Sequence, residues 1–290
     1  MAKISAFLSA SQIRVNAFLK TVLPRGDNQL HQAMRYAIGN GGKRIRPVLI
    51  YAAADTFGQL AHPGLDYLAA AIECMHSYSL VHDDLPAMDD DELRRGMPSC
   101  HIEFDEATAI LCGDALQCFS FELLSNSEIP SDRVADLVRC FARKSGFNGM
   151  ALGQHYDLVG RANTERELLE MHTLKTGRLI EAAIEMPAIL LDQISTHDHA
   201  VLNRYAKHLG LAFQICDDIL DCTQSTETLG KPAQSDMRNE KHTYVSFYGL
   251  DEATRMLNHE VGQAKEAIAS LSSGPGMLNA IADYFLLRTV

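Results

Sequence analysis

Apolar residues recur along this chain at the three- and four-residue intervals of a helix face. Residues 68–81 are almost continuously apolar, and residues 1–20 place their apolar side chains as an amphipathic helix does. Alternating runs of Val, Ile and Thr, which are typical of strands, are scarce. The pattern therefore predicts an all-α protein.

Gly- or Pro-containing breaks divide this pattern into about ten helices with short connections. They fall at residues 23–26, 41–42, 62–64, 129–130 and 273–276. Thr164 followed by Glu167 is a capping-box pattern, which predicts the start of a helix that runs through the Lys175 region. The length of 290 residues favours about two domains, but no flexible linker divides the chain.

The charge balance limits the partners that the chain can have. There are 26 Lys and Arg against 37 Asp and Glu, for a formal net charge of −11. Nucleic acid and anionic membranes are not expected as partners, because both require clustered basic residues. Taken globally, the negative charge also argues against a phosphate ligand, although the local distribution of charges contradicts that inference.

The N-terminus and the cysteines predict a cytoplasmic protein. Residues 1–20 lack the apolar core and cleavage site of a signal peptide, and no charge-free apolar run is long enough to span a bilayer. The seven cysteines form no C-x-x-C pair and lie within apolar stretches. Buried reduced thiols explain them better than metal-ligating cysteines do.

Six acidic residues lie within positions 83–92, directly after an apolar helix. A run of acids is usually a solvated loop, but this one also contains apolar residues and ends in Arg94 and Arg95. On a straight helix Asp83 and Asp89 would point about 240° apart. Because Pro86 must end or bend the helix, the later aspartates can fold back toward Asp83. The spacing does not fit an EF-hand.

A second acidic motif is helical throughout. Gln214, Asp217, Asp218 and Asp221 stand at i, i+3, i+4 and i+7 with apolar flanks. Carboxylates in such a context repel one another unless a cation lies between them, and ligands that are all oxygen suit Mg²⁺ better than zinc. If both acidic motifs bind one metal cluster, residues 1–290 form a single domain.

Basic residues accompany these motifs at turns that contain glycine. Residues 41–47, Gly-Gly-Lys-Arg-Ile-Arg-Pro, precede an apolar helix expected at 48–57, and a helix start with basic side chains can bind an anion. Single basic residues are more often surface residues. Together, beside two acidic motifs, they indicate binding of more than one phosphate group. The further candidates are Arg94, Arg95, Lys175, Lys231 and Lys241.

In combination the motifs resemble those of the trans-isoprenyl diphosphate synthase family, above all its bacterial short-chain members that make farnesyl diphosphate. The resemblance extends from Gly41 to about Asp283. It rests on the residues 41–47, the acidic run with Arg94-Arg95-Gly96, Gly153-Gln154-x-x-Asp157-Leu158, Lys175-Thr176-Gly177, Phe213-Gln214-x-x-Asp217-Asp218-x-x-Asp221 and Leu229-Gly230-Lys231.

The resemblance implies a large α-helical bundle around a deep central pocket, usually as a homodimer. It implies head-to-tail condensation of isopentenyl diphosphate with dimethylallyl and geranyl diphosphate to give (E,E)-farnesyl diphosphate and diphosphate. The expected cofactor is Mg²⁺, with about three ions per site, which assists ionisation of the allylic substrate.

The resemblance also assigns roles to individual residues. Those expected to ligate Mg²⁺ are Asp83, Asp89 and Asp217, with Asp84 and Asp221 in support. Those expected to hold the allylic diphosphate are Arg94, Lys175 and Lys231. Those expected to hold isopentenyl diphosphate are Lys43, Arg46, His76 and Arg95. Those expected to face the allylic carbocation are Thr176 and Gln214. The helical spacing of His76, Ser79 and Asp83 independently favours a place for His76 in the same pocket.

Tyr78 and Ser79 are expected to set the length of the product. In family members a bulky side chain just before the first acidic motif closes the bottom of the hydrocarbon pocket. Tyr78 stands five residues before Asp83. An aromatic residue there resembles the producers of fifteen-carbon chains, so Tyr78→Ala should lengthen the product.

Several alternatives stay open at this point. A geranylgeranyl or geranyl diphosphate synthase would carry the same motifs. A terpene cyclase shares the fold and the first acidic motif, but its second motif normally contains Asn or Asp, Ser or Thr, and Glu. A non-catalytic partner subunit usually loses one acidic motif, and both are intact here. A metal-storage or Ca²⁺-binding role leaves the basic residues unexplained.

Overall fold

The computed structural model describes residues 2–223 and 243–287. In these residues there are fourteen α-helices and one hairpin of two-residue strands, which confirms the all-α prediction. The number exceeds the expected ten, mainly because short helices lie between the long ones. In chain order the helices are α1 (Ala2–Val22), α2 (Gln29–Gly39), α3 (Ile45–Thr56), α4 (Gly64–Asp83), α5 (Cys100–Glu103), α6 (Glu106–Leu124), α7 (Ser131–Ser145), α8 (Met150–Leu158), α9 (Glu165–His172), α10 (Arg178–Leu190), α11 (Thr196–Thr223), α12 (Tyr244–Tyr248), α13 (Leu250–Ile268) and α14 (Gly276–Leu287).

The central helices are α3, α4 and α10, which pack against one another. Ten of the twelve residues of α3 are buried, so the helix is apolar on all sides rather than amphipathic. The surrounding helices complete the bundle: α6 lies along α4, α7 along α10, and α11 packs between α10 and α13. A short π-helical segment, Thr173–Gly177, joins α9 to α10 and contacts both α8 and α11.

Local sequence signals explain several helix ends. The capping box predicted at the start of α9 is present: Glu167 N donates to Thr164 Oγ1 at 3.3 Å and Thr164 N donates to the Glu167 carboxylate at 3.2 Å. The helix expected at residues 48–57 begins earlier, at Ile45, because Arg44 ends the preceding loop in a left-handed conformation with φ of 50°. Pro47 therefore lies within the first turn, where its missing N–H costs nothing.

The chain reverses direction directly after α4. The helix ends at Asp83, three residues before Pro86, as the sequence predicts. Asp89 N donates to Asp83 O at 2.9 Å, and Asp90 N donates to Leu85 O at 3.2 Å. The later part of the acidic run thus folds back onto the helix end, which confirms the expected bend.

Helix α6 is long and apolar enough to cross a membrane by length and composition alone, the one such helix in the described residues. It packs along α4, and core helices that never meet a lipid pass the same test. In the same residues none of the seven cysteines forms a disulfide, and five of them are buried, as predicted.

Candidate active site

The two acidic motifs meet at one cavity of about 340 Å³. Asp83, at the end of α4, and Asp217, in α11, both line it. His76 and Ser79 line it as well, as their helical spacing from Asp83 indicates. Residues 134 positions apart in the sequence (217 − 83) therefore share one site. The remaining wall includes Tyr78, Met88, Met150, Gln154, Lys175, Thr176, Phe213 and Gln214.

A second cavity of about 430 Å³ adjoins the first one. The two share Arg46, His76, Phe213 and Asp217 as wall residues. The wall of the second cavity also contains Gly42, Lys43, Arg44, Glu73 and Arg95. Each cavity has two carboxylates in its wall, but the second cavity has four cationic side chains where the first has two, Arg46 and Lys175.

Arg44 holds the loop of residues 41–47 in place. Its guanidinium is buried and donates to Glu73 Oε1 at 2.6 Å, to Ile38 O at 2.6 Å and to Asn16 Oδ1 at 3.0 Å. A buried charge is tolerated only when it is paired and hydrogen-bonded, and Arg44 meets both conditions. The sequence motif includes Arg44, but sequence reasoning assigned it no role. The signal for it was the buried Glu73 in the facing apolar helix.

Arg46 lies in the wall of both cavities and has one nitrogen without a protein partner among the residues that the structure describes. Its Nε is buried and has no hydrogen-bond partner in the described residues. Burial lowers the pKa of Arg46 to about 10, while the charges of Glu73 and Asp217 oppose that shift. The side chain therefore remains a cation at neutral pH, and an anion in the second cavity would satisfy it.

The side chains of Arg94 and Arg95 point in different directions because Arg94 ends a strand and Arg95 begins the turn that follows it. Arg95 and Gly96 both have positive φ, 55° and 78°, in the hairpin that pairs Leu93–Arg94 with Met97–Pro98. Arg95 donates to Gly41 O and lines the second cavity. Gly42 has a φ of 109°, which residues with a side chain rarely adopt, so glycine is required there, and the Arg95 guanidinium occupies the space beside it.

Arg94 instead pairs with the acidic run. Its Nε donates to Asp84 Oδ1 at 2.9 Å and its Nη2 donates to Asp91 Oδ2 at 3.0 Å. Burial alone would lower the pKa of Arg94, but the hydrogen bond and the charge of Asp84 outweigh it and raise the pKa. Asp84 is buried behind the cavity wall, so Arg94 and Asp84 brace the acidic loop from outside.

The Asp83 carboxylate has a raised pKa. Burial raises its pKa to about 6; the charge of Lys175 opposes this shift and that of Asp89 adds to it. A carboxylate that is desolvated and repelled in this way is stabilised by a cation placed between the acidic residues. Asp83, Asp89 and Asp217 offer only oxygen ligands, which is the chemistry of Mg²⁺.

Asp83 and Asp217 face the cavity without closing around one point. Within residues 2–223 and 243–287, no three His, Cys, Asp or Glu side chains converge closely enough to hold a metal ion by themselves. Mg²⁺ typically keeps several waters and is bound by one or two carboxylates plus substrate phosphate oxygens. The separated carboxylates fit that mode of binding, and they do not fit a closed metal site made of protein ligands alone.

A chain of hydrogen bonds joins the π-helical segment to the second acidic motif. Thr176 Oγ1 donates to Gln214 Oε1 at 2.8 Å, and Gln214 Nε2 donates to Asp218 Oδ1 at 2.7 Å. The other oxygen of Asp218 accepts from Tyr244 N at 2.8 Å. Asp218 is therefore buried behind Gln214 and fixes its amide orientation. Sequence reasoning placed Asp218 on the motif stripe but gave it no role of its own.

Lys175 reaches the cavity through an ion pair with α8. Its Nζ lies 2.6 Å from Asp157 Oδ2. Gly153 makes this possible, since a Cβ there would collide with the backbone of Lys175. Gln154, the next residue in α8, lines the cavity. Neither its amide nitrogen nor its oxygen has a hydrogen-bond partner in the described residues. The sequence showed the motif Gly153-Gln154-x-x-Asp157, but not what it holds.

The remaining candidates differ in where they lie. Asp221 is buried in α11 beneath Asp217 and Asp218. Lys231 and Lys241 lie outside the described residues. Tyr78 is half-buried and lines the first cavity together with Ser79.

An α-helical bundle in which two aspartate motifs face one cavity beside a cationic one has the architecture of a diphosphate-binding protein that uses Mg²⁺. Residues 27–273 match the family model described as Polyprenyl synthetase, and the chain belongs to this family.

Similar proteins cover almost the whole chain. It is 44% identical to a farnesyl diphosphate synthase of Haemophilus influenzae, over 99% of each chain. It is 42% identical to a farnesyl diphosphate synthase of Escherichia coli, over 92% of this chain and 91% of that one. A crystal structure of a geranyltransferase from Helicobacter pylori, complexed with magnesium and isoprenyl diphosphate, superposes with a TM-score of 0.83 at 32% identity, covering 98% of this chain and 96% of that one.

Proposed function

We propose that this protein is a prenyltransferase that condenses isopentenyl diphosphate head to tail with dimethylallyl diphosphate and then with geranyl diphosphate. The products are (E,E)-farnesyl diphosphate and diphosphate. The observation that carries the proposal is the pair of adjoining cavities, one rimmed by Asp83 and Asp217 and the other lined by Lys43, Arg46 and Arg95. Two diphosphate substrates bound there would have their reacting carbons side by side.

The first cavity would hold the allylic substrate. Asp83, Asp89 and Asp217 would ligate Mg²⁺, with Asp84 and Asp221 supporting them from buried positions. When bound, about three Mg²⁺ ions would supply positive charge to the leaving diphosphate. Lys175, held by Asp157, would contribute a further cation to that diphosphate, and Arg94 and Lys231 are proposed to do the same.

The second cavity would hold isopentenyl diphosphate. Lys43, Arg46 and Arg95 would bind its phosphate oxygens, and the buried, unpartnered Nε of Arg46 supports this role. Burial lowers the pKa of His76 well below its usual value, and four nearby arginines add to the shift. His76 would therefore act as a neutral hydrogen-bond donor at pH 7, while the arginines supply the charge.

The reaction then follows from the two bound substrates. The bond from C1 of the allylic substrate to oxygen breaks, and the oxygen keeps the electron pair. Thr176 and Gln214 face the carbocation, and their hydrogen-bond chain to Asp218 fixes their dipoles before the reaction starts. The double bond of isopentenyl diphosphate supplies the electrons of the new carbon–carbon bond. The proton lost from that substrate goes to the released diphosphate, so no separate protein base is required.

The test is direct incubation with Mg²⁺, dimethylallyl diphosphate and labelled isopentenyl diphosphate. Chromatography of the dephosphorylated products measures both the activity and the length of the prenyl chain. Farnesol as the main labelled alcohol is expected, and omission of Mg²⁺ with added chelator should abolish the label. A product of mainly twenty or ten carbons would reassign the protein to geranylgeranyl or geranyl diphosphate synthesis. Folded protein that incorporates no label would indicate a non-catalytic subunit.

A homodimer is part of the proposal, and α6 supports it. Its outward face exposes Ile110 and Leu111, which are 44% and 55% exposed, while its inner face packs along α4. A second copy packed on this face would cover both residues. Sedimentation should give twice the mass of 32.0 kDa, and Leu111→Glu should shift the mass toward that of one chain. Unchanged mass in the variant would place the interface elsewhere.

The chain is also proposed to act as a single domain, residues 1–290, in the cytoplasm. Both acidic motifs are required at one cavity, so neither half of the chain could perform the reaction alone. The cysteines, which form no disulfides in the described residues, suit a reducing compartment. Fractionation of the producing cell with an antibody to the protein tests the location.

A further inference from the structure

The Tyr78 ring in the wall of the first cavity contacts a second ring, that of His82. Tyr78 and His82 lie one helical turn apart in the last turns of α4, and both line the cavity. Their rings meet edge to face, with centroids 5.2 Å apart and planes at 80°. This is the preferred geometry of an aromatic pair, so the imidazole restricts the rotation of the Tyr78 ring.

His82 is in turn fixed to the neighbouring helix α6. Its Nε2 lies 3.0 Å from Ile110 O, and because a carbonyl oxygen only accepts, Nε2 carries the proton. The ring rests directly on Gly113, one turn further along α6. A Cβ at Gly113 would occupy the position of the imidazole, so any other residue would displace His82.

The choice of glycine at this point has a physical cost. Glycine in the interior of a helix lowers stability by roughly 0.5–1 kcal/mol relative to alanine. Gly113 lies in the middle of α6, a helix whose φ angles any residue can adopt. Close approach of His82 is the feature that requires it.

The Tyr78 side chain is close to the same helix. Burial raises the pKa of Tyr78, the charges of Asp83 and Asp114 raise it further, and the neighbouring Gln117, four residues after Gly113, lowers it. The backbone of α6 at Ile110 and Gly113 therefore contacts His82, and Gln117 lies one turn further along beside Tyr78.

We infer that His82 is a positioning residue which, braced by Gly113 and Ile110, fixes the Tyr78 ring and thereby sets the length at which the growing hydrocarbon chain stops. The inference rests on the proposed condensation reaction. A side chain can stop elongation of the hydrocarbon product only if it keeps its rotamer when the next five-carbon unit would clash with it. Tyr78 blocks the growing product, and His82 with its contacts on α6 prevents the Tyr78 ring from moving aside.

The test compares product distributions under identical substrate ratios for the native protein, His82→Ala, His82→Phe and Gly262→Ala. The last is a matched control, since a Cβ at Gly262 in α13 meets nothing within 4 Å. His82→Ala should raise the ratio of twenty- to fifteen-carbon product by about threefold to tenfold, the effect expected for loss of one aromatic contact. His82→Phe keeps a ring in contact with Tyr78 and should retain the native distribution.

Two variants on α6 give independent results. Gln117→Leu removes the polar neighbour of the Tyr78 side chain on α6 and should also lengthen the product. Gly113→Ala drives the imidazole toward Tyr78 and should raise the ten-carbon fraction instead. The KM for isopentenyl diphosphate should stay within about twofold in all of them, because His82 does not belong to the wall of the second cavity as described.

The outcomes separate the inference from the proposed function. If the native protein forms no prenyl product, the proposed function fails. If it forms farnesyl diphosphate and His82→Ala gives the same distribution, the inference is overturned while the function stands. If His82→Ala is inactive, Gln117→Leu decides: a longer product supports the brace, and an unchanged product overturns it.

Discussion

The two acidic motifs place their paired aspartates in the same way, one facing the cavity and one buried, although their local structures differ. In each, the first aspartate of a pair, Asp83 or Asp217, faces the cavity. The second is buried behind it: Asp84 accepts from Arg94, and Asp218 accepts from Gln214 and from Tyr244 N. The first motif reaches this arrangement at a helix end, and the second reaches it within an unbroken helix.

The difference shows two ways of directing a carboxylate. In α11, the helical period alone places Asp217 and Gln214 on one face. After α4, a reversal of the chain is needed, and it is held by the hydrogen bond from Asp89 N to Asp83 O and by the pairing of Arg94 with Asp84 and Asp91. The second motif is therefore built into its helix, while the first depends on contacts that single substitutions can remove.

The largest expected effect tests the shared function of the cavity-facing aspartates. Asp83→Ala and Asp217→Ala should each lower kcat by on the order of 10²-fold or more, because in the proposed reaction each carboxylate would hold Mg²⁺ against the leaving group. Steady-state incorporation of labelled isopentenyl diphosphate measures it, with circular dichroism to confirm the helical fold. The control is Asp90→Asn, since Asp90 is exposed and its φ of 52° suits asparagine. A near-normal rate in either alanine variant would remove that residue from the metal site.

The next effect concerns the buried partners. Asp218→Asn places an amide N–H opposite a donor, either Gln214 Nε2 or Tyr244 N, and so turns the Gln214 side chain. We expect kcat to fall by about 10- to 100-fold with little change in the KM for isopentenyl diphosphate. Asp84→Asn should act on the other motif, by releasing Arg94 and raising the Mg²⁺ concentration needed for half-maximal rate. If both variants changed only kcat, or both changed only the Mg²⁺ requirement, the two buried aspartates would not have the different roles assigned to them.

A third effect is a pH dependence confined to the layer behind the second motif. His172 is buried and stacks on Tyr244, with ring centroids 5.3 Å apart. Burial lowers the pKa of His172 to about 3, so below about pH 6.5 the unfolded chain takes up a proton that the folded protein refuses. The free energy of unfolding should fall with acidification, by about 1 kcal/mol from this residue between pH 7 and pH 5.5.

Urea unfolding at pH 7 and pH 5.5 measures this loss. The variant His172→Phe keeps a ring against Tyr244 but cannot be protonated, so it should lose about 1 kcal/mol less than the native protein on acidification. His259→Phe, at an exposed position on α13, serves as the control and should leave the acid loss unchanged. Equal losses in His172→Phe and the native protein would show that His172 is not the sensitive group.

The smallest effect tests what holds the bend after α4. Pro86→Ala should lower the free energy of unfolding by roughly 0.4–1 kcal/mol, because proline restricts the unfolded chain. Activity should stay within about twofold, since Asp89 N and Arg94 still hold the loop. Thermal unfolding and kcat are the two measurements. A tenfold loss of activity would mean that Pro86, rather than these contacts, maintains the first motif.

Much of the site could be predicted because it follows helix geometry. The period of 3.6 residues places His76, Ser79 and Asp83 on one face of α4, and Gln214 and Asp217 on one face of α11. Pro86 marks the end of α4 in the same local way. The start of α3 was predicted three residues too late, because the left-handed conformation of Arg44 depends on its buried contacts with Glu73, Ile38 and Asn16.

The sequence by itself determined the helical class, the two acidic motifs, the bend between Asp83 and Asp89, and the presence of cations suited to diphosphates. Each of these depends on residue type and on neighbours within about one or two helical turns. The tertiary structure decided which member of each pair faces the cavity, that Arg94 braces the acidic loop while Arg95 lines the second cavity, and that α6 supports Tyr78 through His82 and Gly113. These outcomes depend on which helices pack together, and the local pattern of one segment carries no information about that.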